Sequence, residues 1–145
     1  MAAAYLSLGS NTAEALQQID EAERRLGLVP DVGIAARSAD QHPPAERGQA
    51  RYRYRLIGIE TAIKPRALLE LMIGIEAAMG RDHADVWGQR LIDIDLIAYD
   101  DIEIRSSRLH LPHAFAHSRP YILEPLREIA PEVAAFVEQV GNRPR

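Results

Sequence analysis

Two aspartates one residue apart are the side chains of this chain best suited to chemistry. Asp93 and Asp95 alternate with aliphatic residues in the segment 87–97, which also holds Arg90 and the only tryptophan, Trp87. Alternate side chains of a strand share a face, so the two carboxylates are expected roughly 6.5–7 Å apart. A hard cation such as Mg²⁺, held jointly with substrate phosphates, stabilises carboxylates placed in this way. An edge strand whose outer face happens to be acidic fits the pattern equally well.

Composition narrows the class of protein. The chain has 145 residues, of which 47% are hydrophobic and 26% charged, and this predicts a single globular domain over 1–145. The net charge of −4 argues against nucleic acid as a partner. There is no cysteine, no apolar run of membrane-spanning length and no basic N-terminal signal region. We therefore expect a cytoplasmic protein, monomeric, that acts on small molecules without a membrane or nucleic-acid partner.

Cationic side chains are concentrated in the same part of the chain as the aspartates. The cluster consists of Arg81, His83, Arg90, Arg105, Arg108, His110, His113, His117 and Arg119. A locally basic wall in an acidic protein suits a small polyanion. The spacing of His110, His113 and His117 would suit zinc on a helix, but Pro112 disfavours a continuous helix there. Phosphate contact is the better interpretation, because phosphoryl transfer requires positioning and charge neutralisation.

The elements that must position these residues alternate between strands and helices. Period-two patterns predict strands over 2–9, 32–41, 51–62 and 91–99, and helical spacing predicts helices over 12–27 and 64–80. We further expect 102–104 to pair back on the last strand, a helix over about 119–128 broken by Pro125, and a final helix over 132–140. This order predicts an α+β ferredoxin-like sandwich with at least four antiparallel or mixed strands. Both central helices are expected on one face, which leaves Asp93 and Asp95 on a free opposite face.

Three further features have two interpretations each. The Gly-Ser-Asn turn at 9–11 follows a strand and precedes a helix, where it either cradles phosphate or simply turns the chain. The polar segment 42–50 is either a mobile lid or a plain surface loop. Glu76 lies near the apolar stripe of its helix, and a glutamate there is more often a solvated edge residue than a ligand.

Several of these motifs occur together in one known family. They lie at 5–11, 43–44, 60–61, 76–81, 87–95, 111–113 and 119–132, in that family's order and spacing. With them, the chain resembles the 6-hydroxymethyl-7,8-dihydropterin pyrophosphokinases of the folate pathway. The Trp-Gly-x-Arg-x-x-Asp-x-Asp segment and the Pro-His…Arg pair are the most specific parts. The resemblance implies transfer of pyrophosphate from ATP to the hydroxymethyl group of a dihydropterin, with release of AMP.

The resemblance also implies roles for individual residues. It places two Mg²⁺ ions on Asp93 and Asp95 and adds Arg81 and Arg90 to the catalytic set. It assigns ATP to Glu76, Trp87, Arg90, Arg108, His113 and Arg119. It assigns the pterin to Pro44, Ala45, Tyr52, Tyr54, Trp87 and Tyr121, with Trp87 and Tyr121 on the two faces of the ring.

One position of the pterin site departs from the family. An asparagine of the third strand reads the amide edge of the pterin in the family, and the matching residue here is Tyr54. A phenol hydroxyl does not present the donor and the acceptor of an amide together. Two alternatives to the family's reaction therefore stay open: a paralogue with an altered pterin acceptor, and a module that binds nucleotide or pterin without turnover. A plain ferredoxin-like interaction domain is a third.

Overall fold

The computed structural model describes residues 1–45, 50–80 and 91–144. The first part of the chain forms a sheet with two helices packed on it. Its elements are β1 (Ala2–Ser10), α1 (Ala15–Gly27), β2 (Val32–Arg37), β3 (Arg53–Thr61), α2 (Pro65–Ala78) and β4 (Asp93–Tyr99). The four strands form an antiparallel sheet in the order β2-β3-β1-β4. A short ribbon, β5 (Ile104–Arg105) with β6 (His110–Leu111), precedes α3 (Pro120–Ile129) and α4 (Pro131–Gly141). The predicted α+β fold is confirmed.

Helices α1 and α2 cover one face of the sheet, as predicted. Each helix has an apolar stripe at helical spacing, so each can bury one side against the sheet. The buried residues of the stripes are Ala15, Ile19, Ala22 and Leu26 in α1 and Leu68, Met72 and Ile75 in α2. They join a core with inward-facing strand residues that include Leu6, Leu8, Ile57, Ile59, Ile94 and Leu96.

The opposite face of the sheet is partly covered, so the expectation that it is free was too broad. Helices α3 and α4 pack on it in a second apolar cluster. Leu56 of β3 and Ile97 of β4 are fully buried there against Ile122 and Leu126 of α3. Apolar side chains on that face require burial, and the two last helices provide it. What remains open is the part of the face next to Asp93 and Asp95.

Two local predictions were wrong. Residues 102–104 do not pair with β4, because Ile102 N–H donates to Tyr99 O (3.1 Å) in a turn and Ile104 pairs with Leu111 of β6. Helix α3 is not broken at Pro125 but continues to Ile129. Pro125 is buried within α3, and this packing outweighs the hydrogen bond that its missing N–H would have made. Over the described stretches, no helix has the length and apolarity to cross a bilayer.

Candidate active site

Two rows of residues cross the middle of the sheet on the open part of its second face. In one row, Gly9 of β1 pairs with Tyr54 of β3 on one side and with Asp93 of β4 on the other. In the next row, Ser7 pairs with Asp95. Adjacent strands lie about 4.8 Å apart, so the backbones of Tyr54 and Asp93 are about 10 Å apart. The sheet register therefore places an aromatic ring and two carboxylates side by side.

A cavity of about 260 Å³ lies over these rows, and we call it the aromatic cavity. Its lining includes Asp93, Asp95, Arg119 and the acceptor residues predicted from the sequence, namely Pro44, Ala45, Tyr52, Tyr54 and Tyr121. Ser7 and Gly9 form part of its floor; sequence patterns alone did not single out Ser7. The aromatic rings suit a flat ligand ring that stacks on them. The two carboxylates suit a cation, which would lie close to a substituent of that ring.

Three tyrosine rings form a continuous stack in the aromatic cavity. Tyr52 and Tyr54 have ring centroids 5.3 Å apart at an interplanar angle of 11°, and Tyr54 and Tyr121 have centroids 4.4 Å apart at 18°. We call these residues the tyrosine stack. Burial, with the neighbouring Tyr121 and Tyr52, raises the pKa of the Tyr54 phenol well above its usual range, so this hydroxyl remains protonated at physiological pH.

The two carboxylates differ in exposure. Asp93 is half-buried and accepts a hydrogen bond from the Tyr52 hydroxyl (3.3 Å), whereas Asp95 is exposed. The intervening Ile94 is buried with Leu96 on the other face, which confirms the predicted alternation. Strand β4 is also an edge strand of the sheet. The acidic face therefore belongs to an edge strand and opens on a cavity, and metal binding by its carboxylates stays a prediction.

The donor set of this site suits Mg²⁺ better than zinc. Among residues 1–45, 50–80 and 91–144, no group of three or more His, Cys, Asp or Glu side chains could hold a metal ion. His110, His113 and His117 thus do not form a zinc site with other described residues. Two carboxylates with space beside them suit Mg²⁺, which usually completes its coordination with waters and substrate phosphates.

A second cavity, of about 270 Å³, lies on the other side of Asp95, and we call it the basic cavity. Its lining includes Leu69, Ile94, Asp95, Ser106, Ser107, Arg108, His110, His113 and Phe115. Arg108 reaches this cavity while its guanidinium binds Glu70 on α2 (2.6 Å). Asp95 lines both cavities, so the two cavities adjoin each other at this residue.

His113 is held as a neutral hydrogen-bond donor in the basic cavity. Its backbone N–H donates to Ile97 O (2.8 Å), and its Nδ1 accepts from the Phe115 N–H (3.2 Å). Burial, the positive charge of Arg119 and the neighbouring His110 lower the pKa of His113 to about 4. With Nδ1 as the acceptor, the proton of the neutral ring is on Nε2. The sequence placed His113 in a cationic cluster, but its surroundings make it a donor without charge.

Arg119 stands near the boundary between the two cavities. It lines the aromatic cavity, while its guanidinium carbon lies 5.5 Å from the centroid of the Phe115 ring in the lining of the basic cavity. Phe115 is 55% exposed and packs edge-on against His113 with ring centroids 6.3 Å apart. Sequence reasoning missed Phe115, although an aromatic residue so close to His113 was an available signal.

The loop that carries Pro44 and Ala45 is held from beneath by Arg55 of β3. The Arg55 guanidinium donates to both carboxylate oxygens of Asp40 (2.7 and 3.1 Å). It also donates to Asp20 on α1 (2.8 Å). Hydrogen bonds with Asp40 and then Asp20 raise the pKa of Arg55. The chain at Asp40, just before Pro44 and Ala45, is therefore tied to β3 and α1.

Four predicted residues are not placed in either cavity. Arg81, Trp87 and Arg90 lie outside the described residues, so their roles stay predictions. Glu76 lies on α2, where its Oε2 accepts the N–H of Ile94 (2.8 Å). It thereby holds the beginning of β4 in place, and its predicted contact with nucleotide remains a prediction.

Comparisons with known proteins all indicate one family. The family model of 7,8-dihydro-6-hydroxymethylpterin-pyrophosphokinase matches residues 5–131. The 2-amino-4-hydroxy-6-hydroxymethyldihydropteridine pyrophosphokinase of Methylorubrum extorquens is 39% identical over 142 residues, which cover 97% of this chain and 90% of that protein. The protein of the same name from Synechocystis is 33% identical over 134 residues, with 89% and 67% covered.

A solved structure has the same fold at low sequence identity. The crystal structure of Plasmodium falciparum HPPK-DHPS superposes with a TM-score of 0.65 at 14% identity. The match covers 97% of this chain and 44% of the longer Plasmodium chain. At this identity the superposition establishes the fold alone.

Proposed function

The chain belongs to the 7,8-dihydro-6-hydroxymethylpterin-pyrophosphokinase family, and we propose that it transfers a pyrophosphate group from ATP to the hydroxymethyl group of a dihydropterin. The observation that carries the proposal is the position of Asp95, which lines both the aromatic and the basic cavity. A transferase with two substrates needs an acceptor site and a donor site that meet at the reacting atoms. The two cavities supply such a pair of sites, and the family supplies the identity of the substrates.

The aromatic cavity holds the acceptor. Tyr52 and Tyr121, the outer rings of the tyrosine stack, offer faces on which a flat pterin ring stacks, and the cavity also contains the carboxylates of Asp93 and Asp95. A ring held against the tyrosines therefore has its hydroxymethyl group close to β4. Pro44 and Ala45 close the cavity from the loop side.

The basic cavity holds the nucleotide. The ATP phosphates extend from it toward Asp95, where His113 donates its Nε2 hydrogen and Arg119 supplies positive charge near the boundary. The acceptor hydroxyl attacks the β-phosphorus in line, the bond from that phosphorus to the oxygen of the α-phosphate breaks, and AMP leaves. The hydroxyl proton passes to solvent. The described residues thus act by orienting the reactants and neutralising charge.

Asp93 and Asp95 are the residues that would hold Mg²⁺ in this reaction. Their donor set fits the ion, because Mg²⁺ is commonly held by one or two carboxylates together with substrate phosphates. When bound, Mg²⁺ would neutralise the charge of the transferring phosphates. The hydrogen bond from Tyr52 to Asp93 orients one of the two carboxylates toward the cavity.

Product analysis tests the proposal. Purified protein with Mg-ATP and 6-hydroxymethyl-7,8-dihydropterin should form AMP and the pterin diphosphate ester in equal amounts, as measured by ion-exchange chromatography. A reaction without the pterin controls for hydrolysis of ATP. Formation of ADP in place of AMP, or the absence of AMP while ATP still binds in a Mg²⁺-dependent manner, would contradict the proposal for this acceptor.

An altered acceptor is a second candidate, and the tyrosine stack favours it. The shared ring of the stack belongs to Tyr54, which presents one hydroxyl to a ligand where an amide would present two groups. A panel of pterin alcohols that differ at their amide edge separates the two candidates. If another member of the panel releases AMP at least tenfold more efficiently than the family's substrate, the altered acceptor is correct. If none releases AMP, the binding module without turnover is correct.

A further inference from the structure

The spacing of the tyrosine stack leaves no room for a ligand ring inside it. Aromatic carbons in contact lie about 3.5–4 Å apart, so two rings that hold a third between them must be separated by about 7 Å or more. The centroids of Tyr54 and Tyr121 are 4.4 Å apart, and those of Tyr52 and Tyr54 are 5.3 Å apart. A flat ligand therefore does not insert into either gap of this arrangement.

The ring of Tyr54 itself lies over the floor of the cavity. Tyr54 is the member that stacks on both other tyrosines. A Cβ added at Gly9 would come within 2.9 Å of two Tyr54 ring carbons. Gly9 is the residue between Tyr54 and Asp93 in the same row of the sheet. The phenol thus occupies the space beside the carboxylates, with its two faces used by protein rings.

We propose that the Tyr54 ring is an internal occupant of the acceptor position, which a flat bicyclic ring alcohol must displace before it can stack on Tyr121. This inference rests on the proposed function for the identity of the acceptor. It makes Tyr54 the residue that sets both the affinity for the acceptor and the rate of its entry.

The movement that the inference requires is confined to a side chain. The backbone of Tyr54 is fixed, because its N–H donates to Gln41 O (2.9 Å) and its carbonyl accepts from the Gln41 N–H (2.8 Å). Rotation about χ1 carries the ring out of the stack and leaves this pairing intact. Displacement of the Tyr54 ring breaks two stacked pairs. The loss of each pair weakens acceptor binding by about 2- to 12-fold. An overall penalty on the order of tenfold or more follows.

Binding measured without nucleotide tests the inference. The fluorescence of 6-hydroxymethylpterin reports its affinity for the native protein, for Tyr54→Ala and for Tyr54→Phe. The alanine variant has an empty acceptor position and should bind about tenfold more tightly. The phenylalanine variant keeps the ring and should retain the weaker affinity of the native protein. Equal or weaker binding by Tyr54→Ala would mean that the ring is a wall for the ligand, and it would overturn the inference, as would the absence of binding to all three proteins.

Stopped-flow kinetics provide an independent readout. In the native protein, the observed binding rate should reach a plateau at high pterin concentration, because departure of the Tyr54 ring then limits it. In Tyr54→Ala the rate should rise linearly over the same range. A linear rate in both proteins would contradict the inference. If the alanine variant does not fold, as judged by circular dichroism, Tyr54→Val replaces it with the same expectations, because valine suits a strand and brings neither a ring nor an amide.

The binding assay and the AMP assay distinguish the two proposals. Tighter binding by Tyr54→Ala without AMP formation by any variant would support the displaced ring and overturn the proposed reaction. AMP formation by the native protein, together with unchanged pterin affinity in Tyr54→Ala, would support the proposed reaction and overturn the displaced ring.

Discussion

Replacement of Asp95 by asparagine separates catalysis from folding. The expected spacing of Asp93 and Asp95 along β4 is about 6.7 Å, at which two like charges repel by about 0.6 kcal/mol in water-like surroundings and about 2.5 kcal/mol at an effective dielectric constant of 20. Because Asp95 is exposed, the lower value applies. Removal of this repulsion opposes the loss of contacts that the exposed carboxylate makes, so Asp95→Asn should change the free energy of unfolding by less than about 1 kcal/mol in the absence of Mg²⁺.

Turnover should respond to Asp95→Asn far more strongly than stability does. In the proposed reaction Asp95 would hold Mg²⁺ next to both substrates. Its loss would remove several kcal/mol of transition-state stabilisation, so kcat should fall by roughly a thousandfold or more. Asp101→Asn is the matched control, since it removes the same charge from the exposed turn that follows β4 and lies outside both cavities. Urea unfolding and AMP formation over a Mg²⁺ titration are the two assays. An Asp95→Asn enzyme within tenfold of native kcat, or one destabilised by more than 2 kcal/mol, would refute the reasoning.

Three further predictions concern residues that position the site. Arg55→Met leaves Asp40 without its cation, so the free energy of unfolding measured in urea should fall by about 1–3 kcal/mol. The KM for the acceptor should rise. An unchanged KM would contradict the support that Arg55 gives to the chain before Pro44 and Ala45. Burial and neighbouring positive charge lower the pKa of His113 to about 4, so between pH 6.5 and 4 the unfolded chain binds a proton that the folded protein does not. Stability should fall as the pH decreases through this window, by at most roughly 3 kcal/mol, and His113→Gln should flatten that part of the profile. Glu76→Ala leaves the N–H of Ile94 without this acceptor and should cost about 1–3 kcal/mol, whereas Glu76→Gln, which keeps an acceptor oxygen, should cost less; equal losses in the two variants would contradict the assigned hydrogen bond.

Much of the fold could be predicted because its signals are local. The alternation of Asp93, Ile94 and Asp95 follows from the geometry of an extended chain, and the structure confirms which side is buried. The stripes of α1 and α2 follow from helical periodicity in the same way. The family was also identified from motifs and spacing, and the match over residues 5–131 confirms it.

The wrong predictions concern features that packing decides and that the local pattern does not contain. Residues 102–104 have an extended pattern, but the choice between β4 and β6 as their partner depends on the turn at Tyr99 and on the position of Leu111. Pro125 disfavours a helix locally, yet its burial as part of α3 decides otherwise. Such choices are made by tertiary packing, which propensity does not contain.

The sequence by itself determined the residue types of the site, the strand face that carries the carboxylates and the family. Tertiary structure alone decided that Asp95 lies between two cavities, that His113 is neutral and that Tyr54 stacks on Tyr121. Each of these depends on residues from separate elements that come into contact only after folding, because burial shifts a pKa and a ring stacks only on a neighbour that packing supplies. Periodicity along one segment contains no information about such neighbours.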